Sequence, residues 1–146
     1  VLLAGGVGIT PVFSMLLVAL ETMPERDVSF IYGCLDEKHQ AFKADIDQLQ
    51  RDHPNLKVHT RYSDRPAEEI AKETAANVSD GFVDAGLIDS VVSQRDADYY
   101  FCGPKLFMAA VDRTLVGWNV PRSQIHFELF GPKEDLESPA PSATAA

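Results

Sequence analysis

Seven residues near the start of the chain have the composition of a loop that binds a phosphorylated ligand. The apolar run Val1–Ala4 leads into a glycine-rich turn that reads Gly5-Gly6-Val7-Gly8-Ile9-Thr10-Pro11. Glycine lets the backbone approach a bulky anion closely, and Pro11 suits a first helical turn, so we predict a helix from Pro11. Because a helix start presents free N–H groups, the strand, turn and helix together predict a cradle for a diphosphate.

Two later segments place chemically useful residues at the ends of predicted strands. Cys102-Gly103-Pro104 again sets a glycine before a helix, and Glu128 and Phe130 are spaced to project from one face of a strand. No histidine neighbours Cys102, and Lys105 belongs to the next helix start. Nothing in the local sequence would activate a thiolate, which argues against covalent nucleophilic catalysis.

Spacing and composition argue against several other classes of protein. The first turn has neither the G-x-G-x-x-G spacing of common dehydrogenases nor the Lys-Ser/Thr pair of a P-loop. The net charge of −9 disfavours nucleic acid as a partner, and the four histidines have no zinc-type spacing, so no metal is predicted. No apolar run approaches the roughly 18 residues that span a membrane. With only two cysteines, the predicted location is the cytoplasm.

The elements that must position these residues alternate between strands and helices. Apolar periodicity predicts five strands, at residues 2–4, 28–33, 56–62, 97–101 and 123–130. It predicts helices at residues 11–22, 41–51, 86–93 and 105–116, with part of 67–77 also helical. Buried strands separated by helices indicate an α/β fold, a three-layer sandwich around a five-stranded parallel sheet. Ligands of such sheets bind beyond the carboxyl ends of the strands, where all the loops named above would meet.

Three motifs, in order, resemble the NAD-binding domain of the ferredoxin reductase superfamily. They are Gly5–Pro11, Tyr99–Pro104 and Glu128–Pro132, and the run from Asp96 to Pro132 is most similar to the C-terminal domain of flavohaemoglobins. The resemblance implies the strand order 3-2-1-4-5 in the predicted numbering and a reductase domain over residues 1–132. Residues 133–146, rich in Pro, Ser and Ala, are predicted to be a disordered tail.

The resemblance also implies a role for individual residues. Cys102 would orient the nicotinamide, Glu128 would supply a hydrogen bond or carry protons, and Phe130 would cover the flavin. The implied nucleotide-binding residues are Gly5, Gly6, Val7, Gly8, Ile9, Thr10, Pro11, Gly33, Tyr62, Cys102, Gly103, Pro104, Phe107, Met108 and Phe130.

The segment after the second strand bears on the choice between NADH and NADPH. A free ribose hydroxyl pairs with a carboxylate, whereas a 2′-phosphate requires Arg or Lys. The segment begins with Asp36 and Glu37 and contains no arginine, so NADH is predicted and Asp36 is the candidate ribose ligand. Lys38 and Lys43 leave NADPH open.

The activity that the resemblance implies is hydride transfer from NADH to FAD, followed by single-electron transfer to an acceptor. In a flavohaemoglobin the acceptor is haem in a globin domain, and the reaction is nitric oxide dioxygenation. FAD would be held mainly by a preceding domain, because the flavin motif Arg-x-Tyr-Ser/Thr is absent and the chain starts within a strand without Met.

Three alternatives stay open on the sequence. The same module could serve another flavin-dependent reductase that feeds an iron–sulfur or oxygenase partner. A flavodoxin-like signalling module would need an acidic pocket at the strand ends, and Leu2–Ala4 offers no aspartate there. A domain that keeps the fold but has lost nucleotide binding is the third.

Overall fold

The structure is a computed structural model that describes residues 1–70 and 76–128, which form a parallel sheet with helices on both faces. Its strands are β1 (Leu2–Gly5), β2 (Val28–Cys34), β3 (Leu56–Tyr62), β4 (Val78–Asp80), β5 (Tyr99–Cys102) and β6 (Ile125–Glu128). Their order across the sheet is β4-β3-β2-β1-β5-β6, and every neighbouring pair is parallel. The predicted order of the five strands is confirmed, but the predicted number was wrong, because the described residues contain six.

The helices make the outer layers of the sandwich. They are α1 (Ile9–Thr22), α2 (Lys43–Asp52), α3 (Ala67–Ile70), α4 (Ala85–Val91) and α5 (Lys105–Gly117). Side chains from the first three pack on one face of the sheet, and those from the last two pack on the other. The predicted three-layer α/β architecture is therefore confirmed.

The unpredicted strand is β4, at the edge of the sheet. Val78–Asp80 pairs with residues Thr60–Tyr62 of β3, next to a region predicted to be helical. That prediction holds for Ala67–Ile70, while residues 71–75 lie outside the described part of the chain. Three residues are too few to show a strand period, and pairing with β3 is what makes them a strand.

Helix α1 begins earlier than predicted. A 3₁₀ turn at Gly6–Gly8 runs directly into it, so Ile9 is its first residue and Pro11 its third. Proline is tolerated there because N–H groups of the first turn have no partner within the helix. The remaining helices differ from the prediction only at their ends.

The last strand is shorter at its start than the predicted segment 123–130. Arg122–Gln124 forms a 3₁₀ turn, and β6 begins at Ile125. Residues 129 and 130 of the predicted strand, and the tail 133–146, lie outside the described residues.

The central strand β1 lies between two apolar layers. Leu2 and Ala4 pack toward α1 and α2, whereas Leu3 packs toward α4 and α5. A strand covered on both faces must be apolar throughout, which explains the continuous run at the start of the sequence. Over residues 1–70 and 76–128, no helix is both long enough and apolar enough to cross a membrane.

Candidate functional site: the carboxyl edge of the sheet

The loops that follow β1, β2, β3 and β5 lie along one edge of the sheet, which we call the carboxyl edge. Gly5, at the end of β1, is in register with Gly33 of β2, and Ala4 is in register with Cys102 of β5. Gly33 is in turn in register with Arg61 of β3. The structure thus brings together the strand ends at which ligands bind in open α/β sheets.

The two glycine turns at this edge contact each other directly. A Cβ atom on Gly8 would lie 2.2 Å from the carbonyl oxygen of Cys102 and 2.6 Å from the backbone nitrogen of Gly103. No side chain fits in that space, so the position requires glycine. Gly6 has a φ of +51°, and a Cβ atom there would lie 3.9 Å from Cγ of Pro104. The two turns therefore form one continuous surface.

A 3₁₀ turn leads into α1, and the Ile9 N–H donates within that turn to the carbonyl oxygens of Gly6 and Val7. Gly8 occupies the N-cap position, and within the described residues no side chain caps the helix and no acid lies in its first turn. The partial positive charge of the helix start is therefore not neutralised locally. Val7 and Thr10 are exposed, Pro11 is half-buried and Ile9 is buried in the core. This surface has the chemistry to bind an anion.

Cys102 and Glu128 are direct neighbours across β5 and β6. The two residues are in register, and the Cys102 side chain is fully buried while Glu128 is exposed. Burial, and second the negative charge of Glu128, raises the pKa of the Cys102 thiol. The thiol is therefore protonated near neutral pH, in agreement with the rejection of a nucleophilic role. Phe130, the predicted flavin cover, lies outside the described residues.

Phe107 and Met108 occupy different environments. The Phe107 ring lies against the backbone of both glycine turns, since a Cβ atom would meet it at 2.7 Å from Gly5 and at 2.5 Å from Gly103. Met108 is fully buried and packs in the core with Val111. Phe107 thus supports the two glycine turns, whereas Met108 presents no surface that a ligand could reach.

Asp36 lies beyond the end of β2 and caps a 3₁₀ turn at Glu37–His39. Its Oδ1 accepts a hydrogen bond from the His39 backbone N–H at 3.0 Å and lies 2.7 Å from Nδ1 of the same residue. The side-chain hydrogen bond with His39 is the main cause that lowers the pKa of the Asp36 carboxyl. Asp36 therefore presents a negative charge near neutral pH, as a ribose ligand would require.

The cations considered for NADPH have acidic neighbours. Nζ of Lys43 lies 3.0 Å from Oδ2 of Asp47, one turn further along α2. An arginine that the local sequence argument missed also reaches this region, because Arg65 Nη1 lies 3.0 Å from Oε1 of Glu37. Both contacts pair a cation of this region with a carboxylate.

Tyr62 is buried at the end of β3. Its hydroxyl donates to the side-chain carbonyl oxygen of Gln40, which ties the end of β3 to the segment before α2. The backbone N–H of Ser63 donates to the Cys34 carbonyl at 3.0 Å, so the loops after β2 and β3 are also joined. Tyr62 contributes to the shape of this part of the edge, but its side chain is 2% exposed.

Sequence reasoning missed one segment of the carboxyl edge, Gly81–Asp84, between β4 and α4. Val83 packs on β2, since a Cβ atom on Gly33 would lie 2.9 Å from Cγ2 of Val83. Phe82 is 79% exposed at the same edge. The available signal was Asp84, three residues before Leu87, a spacing typical of a helix N-cap, and its side chain does accept from the Leu87 N–H at 2.9 Å.

A parallel sheet with a glycine turn and a free helix start at its central strand defines the class of α/β dinucleotide-binding domains. The chain belongs to the oxidoreductase NAD-binding domain family, whose pattern it matches over residues 2–113.

Curated relatives of the chain include flavohemoproteins. It is 35% identical over 136 residues to the flavohemoprotein of Oceanobacillus iheyensis, covering 93% of this chain and 32% of that protein. It is 42% identical over 137 residues to that of Pseudomonas putida, covering 94% of this chain and 33% of that protein. The chain thus spans about a third of the length of these relatives.

Solved structures show the same fold. The FAD/NAD-binding domain of a nitric oxide dioxygenase from Vibrio cholerae matches with a TM-score of 0.71 and 28% identity, over 90% of this chain and 50% of that one. A flavohemoglobin from Malassezia yamatoensis with bound FAD and heme matches with a TM-score of 0.70 and 21% identity, over 89% of this chain and 31% of that one. The second likeness supports the fold only.

Proposed function

We propose that this chain is the NADH-binding reductase domain of a flavohaemoglobin-like nitric oxide dioxygenase. The observation that carries the proposal is the contact of Gly8 with the Cys102–Gly103 peptide, which joins the two glycine turns into one surface. Relatives over 30% identical that are named flavohemoproteins support the choice among flavin-dependent reductases.

The residues at the carboxyl edge fit the two halves of a dinucleotide. The pyrophosphate would bind the turn Gly5–Thr10 at the start of α1, because Gly6 and Gly8 carry no side chain and no acidic residue lies in the first turn of the helix. Cys102, Gly103 and Pro104 would border the nicotinamide, and the protonated thiol would not react with it. The partly buried Phe107 ring would hold both turns in place.

FAD and haem would belong to preceding domains of the intact protein, in the cytoplasm. FAD would accept the hydride and pass single electrons to the haem. On this chain Glu128, exposed beside Cys102, would hold or donate a proton at its carboxylate, and Phe130 would shield the flavin edge from water.

Isothermal titration of the chain with NADH tests the proposal directly. We expect saturable but weak binding, because part of the dinucleotide cleft would be supplied by the flavin domain. Absence of any binding at millimolar NADH would contradict the proposal, provided that the chain is folded by circular dichroism.

The preference for NADH is tested with Asp36→Asn. Asparagine can still accept the His39 backbone hydrogen bond that caps the turn, but it removes the negative charge. A hydrogen bond to a charged group contributes about 1.5–3 kcal/mol, so we expect NADH affinity to fall about tenfold and NADPH affinity to rise. An unchanged ratio of the NADH and NADPH dissociation constants would remove Asp36 from the site. Lys43→Gln, on the same side of the sheet but paired with Asp47, is the control and should leave that ratio unchanged.

A further inference from the structure

Arg61 is a half-buried arginine whose contacts converge on the segment after β4. Its Nε donates to Oγ of Ser79 at 3.0 Å, and its Nη1 donates to the Phe82 carbonyl at 2.9 Å. Nη1 also lies 3.0 Å from Oδ1 of Asp84, and the Arg61 side chain is only 18% exposed. One guanidinium thus contacts both ends and the middle of the connection from β4 to α4.

Besides Arg61, the segment Gly81–Asp84 is held by backbone contacts, by the burial of Val83 and by Asp84, which caps α4. Gly81 has a φ of +102°, and its N–H donates to the Tyr62 carbonyl at 2.9 Å. Val83 packs against Gly33, whereas the Phe82 side chain is 79% exposed. The exposed Phe82 lies between these restraints, and the charged hydrogen bonds of the half-buried Arg61 guanidinium fix its carbonyl and the Asp84 carboxylate in one arrangement.

The segment lies on a definite side of the proposed nucleotide site. If the pyrophosphate binds at the turn after β1, one half of the dinucleotide extends toward β5 and the other half extends toward β2 and β3. Cys102 is on β5, so the nicotinamide half would extend there, and the adenosine half would extend past Gly33. Val83 contacts Gly33 from this second side.

We propose that Arg61 is a positioning residue for the adenosine half of the dinucleotide, because it holds the Gly81–Asp84 segment against the end of β2. Arg61 itself need not touch the ligand, since it acts through the Phe82 carbonyl and the Asp84 carboxylate. The inference rests on the proposed function, and it adds a residue outside the three motifs that define the resemblance.

The test uses the two half-ligands of NADH, adenosine monophosphate and nicotinamide mononucleotide, titrated into the full chain by NMR. If Arg61→Gln leaves about one molecule in ten with the segment in its binding arrangement, the apparent dissociation constant for adenosine monophosphate rises about tenfold. The constant for nicotinamide mononucleotide should not change. A general loss of structure would weaken both, so the difference between the half-ligands separates positioning from folding.

Two further variants complete the design. Arg95→Gln is the matched control. Nη2 of Arg95 donates to Oδ1 of Asp89 at 2.9 Å, and its Cζ lies 4.2 Å from the centroid of the Trp118 ring. Arg95 lies between α4 and β5, at the opposite edge of the sheet from the carboxyl edge. We expect it to leave both dissociation constants unchanged. Arg61→Lys keeps the charge beside Asp84 without the guanidinium fork, and should restore adenosine monophosphate affinity in part.

The outcomes distinguish the two proposals. If the wild-type chain binds neither half-ligand nor NADH, the proposed function fails, and this inference fails with it. If the wild type binds and Arg61→Gln weakens both half-ligands equally, or neither, only the role of Arg61 is overturned. If Arg61→Gln does not fold, the same comparison made with Arg61→Lys decides the question.

Discussion

Gly8 combines an observed packing requirement with a proposed role in nucleotide binding. The sequence identifies its turn as a candidate phosphate site, but only the structure shows that its missing side chain makes room for the Cys102–Gly103 peptide. The start of α1, which no side chain caps, therefore adjoins a surface composed of two strand ends instead of one.

Gly8→Ala should therefore affect stability and binding together. The new methyl group would overlap the Cys102 carbonyl oxygen at 2.2 Å, and backbone rather than a flexible side chain would have to move. Overpacking of this kind lowers the free energy of unfolding by about 1–3 kcal/mol, which urea denaturation measures. The dissociation constant for NADH should rise at least tenfold. Gly117→Ala, with no atom within 4 Å of the new Cβ, is the control and should be neutral or stabilising. Equal stability of the two variants would contradict the packing argument.

At the scale of elements, helices α1 and α2 are joined above the sheet by a stacked pair of rings. The Phe13 and Phe42 centroids are 4.3 Å apart with an interplanar angle of 6°. Phe42 occupies the N-cap of α2 with a φ of 59°, an unusual conformation for a large residue. The stack is a tertiary interaction that offsets this local strain.

A double-mutant cycle measures that interaction. Phe13→Leu and Phe42→Leu should each destabilise the chain, and their effects should be non-additive by about 0.5–1.5 kcal/mol, the usual value for an aromatic pair. Urea unfolding of the wild type, both single variants and the double variant provides the coupling energy. Phe82→Leu, at a residue that is 79% exposed, should change stability by no more than about 0.5 kcal/mol. Strictly additive effects of the two substitutions would show that the stack contributes nothing beyond burial.

The elements also show where sequence reasoning stops. Apolar patterns located β1, β2, β3 and β5 well, because β1, β2 and β5 carry largely continuous apolar runs and β3 alternates buried residues with more exposed ones. They missed β4, since Val78–Asp80 becomes a strand only through its pairing with Thr60–Tyr62. The same omission concealed the Gly81–Asp84 segment, which contributes to the carboxyl edge.

At the scale of the whole molecule, His59 of β3 makes the free energy of unfolding depend on pH. Burial, and second the positive charge of Arg61, lowers the pKa of His59, whose Nε2 lies 2.7 Å from Oγ of Ser79. The folded chain therefore favours the neutral imidazole, and the unfolded chain binds more protons once the pH falls below the ordinary histidine value of about 6.5. The free energy of unfolding should decrease from there as pH falls, until the lowered folded-state pKa is passed.

His59→Gln tests this contribution, because glutamine can still hydrogen-bond to Ser79 but does not titrate. Urea unfolding between about pH 7.5 and 5.5 should show a smaller loss of stability for the variant than for the wild type, with the difference confined to the range below the ordinary histidine pKa. Parallel profiles for the two proteins would exclude His59. His53→Gln, outside the core at the end of α2, controls for the loss of a histidine as such.

Much of the candidate site could be predicted, because glycine turns, Cys102-Gly103-Pro104 and Asp36 are recognisable from residue type and position after a strand. Their placement at one edge followed from the parallel arrangement that alternating strands and helices require. Local sequence could not distinguish Phe107, which packs against the two glycine turns, from the fully buried Met108. Adjacent helix residues differ in direction by about 100°, and only the tertiary packing decides which of them is covered.

The sequence by itself determined the α/β class, the order of the elements and the composition of the two glycine turns, because these depend on local periodicity and on conformations that few residues allow. Only the tertiary structure decided that Gly8 abuts Cys102, that Glu128 lies beside the same thiol, and that Arg61 holds the Gly81–Asp84 segment. Those contacts join residues far apart in the chain. Their energies depend on distance, burial and charge, which exist only once the sheet has assembled.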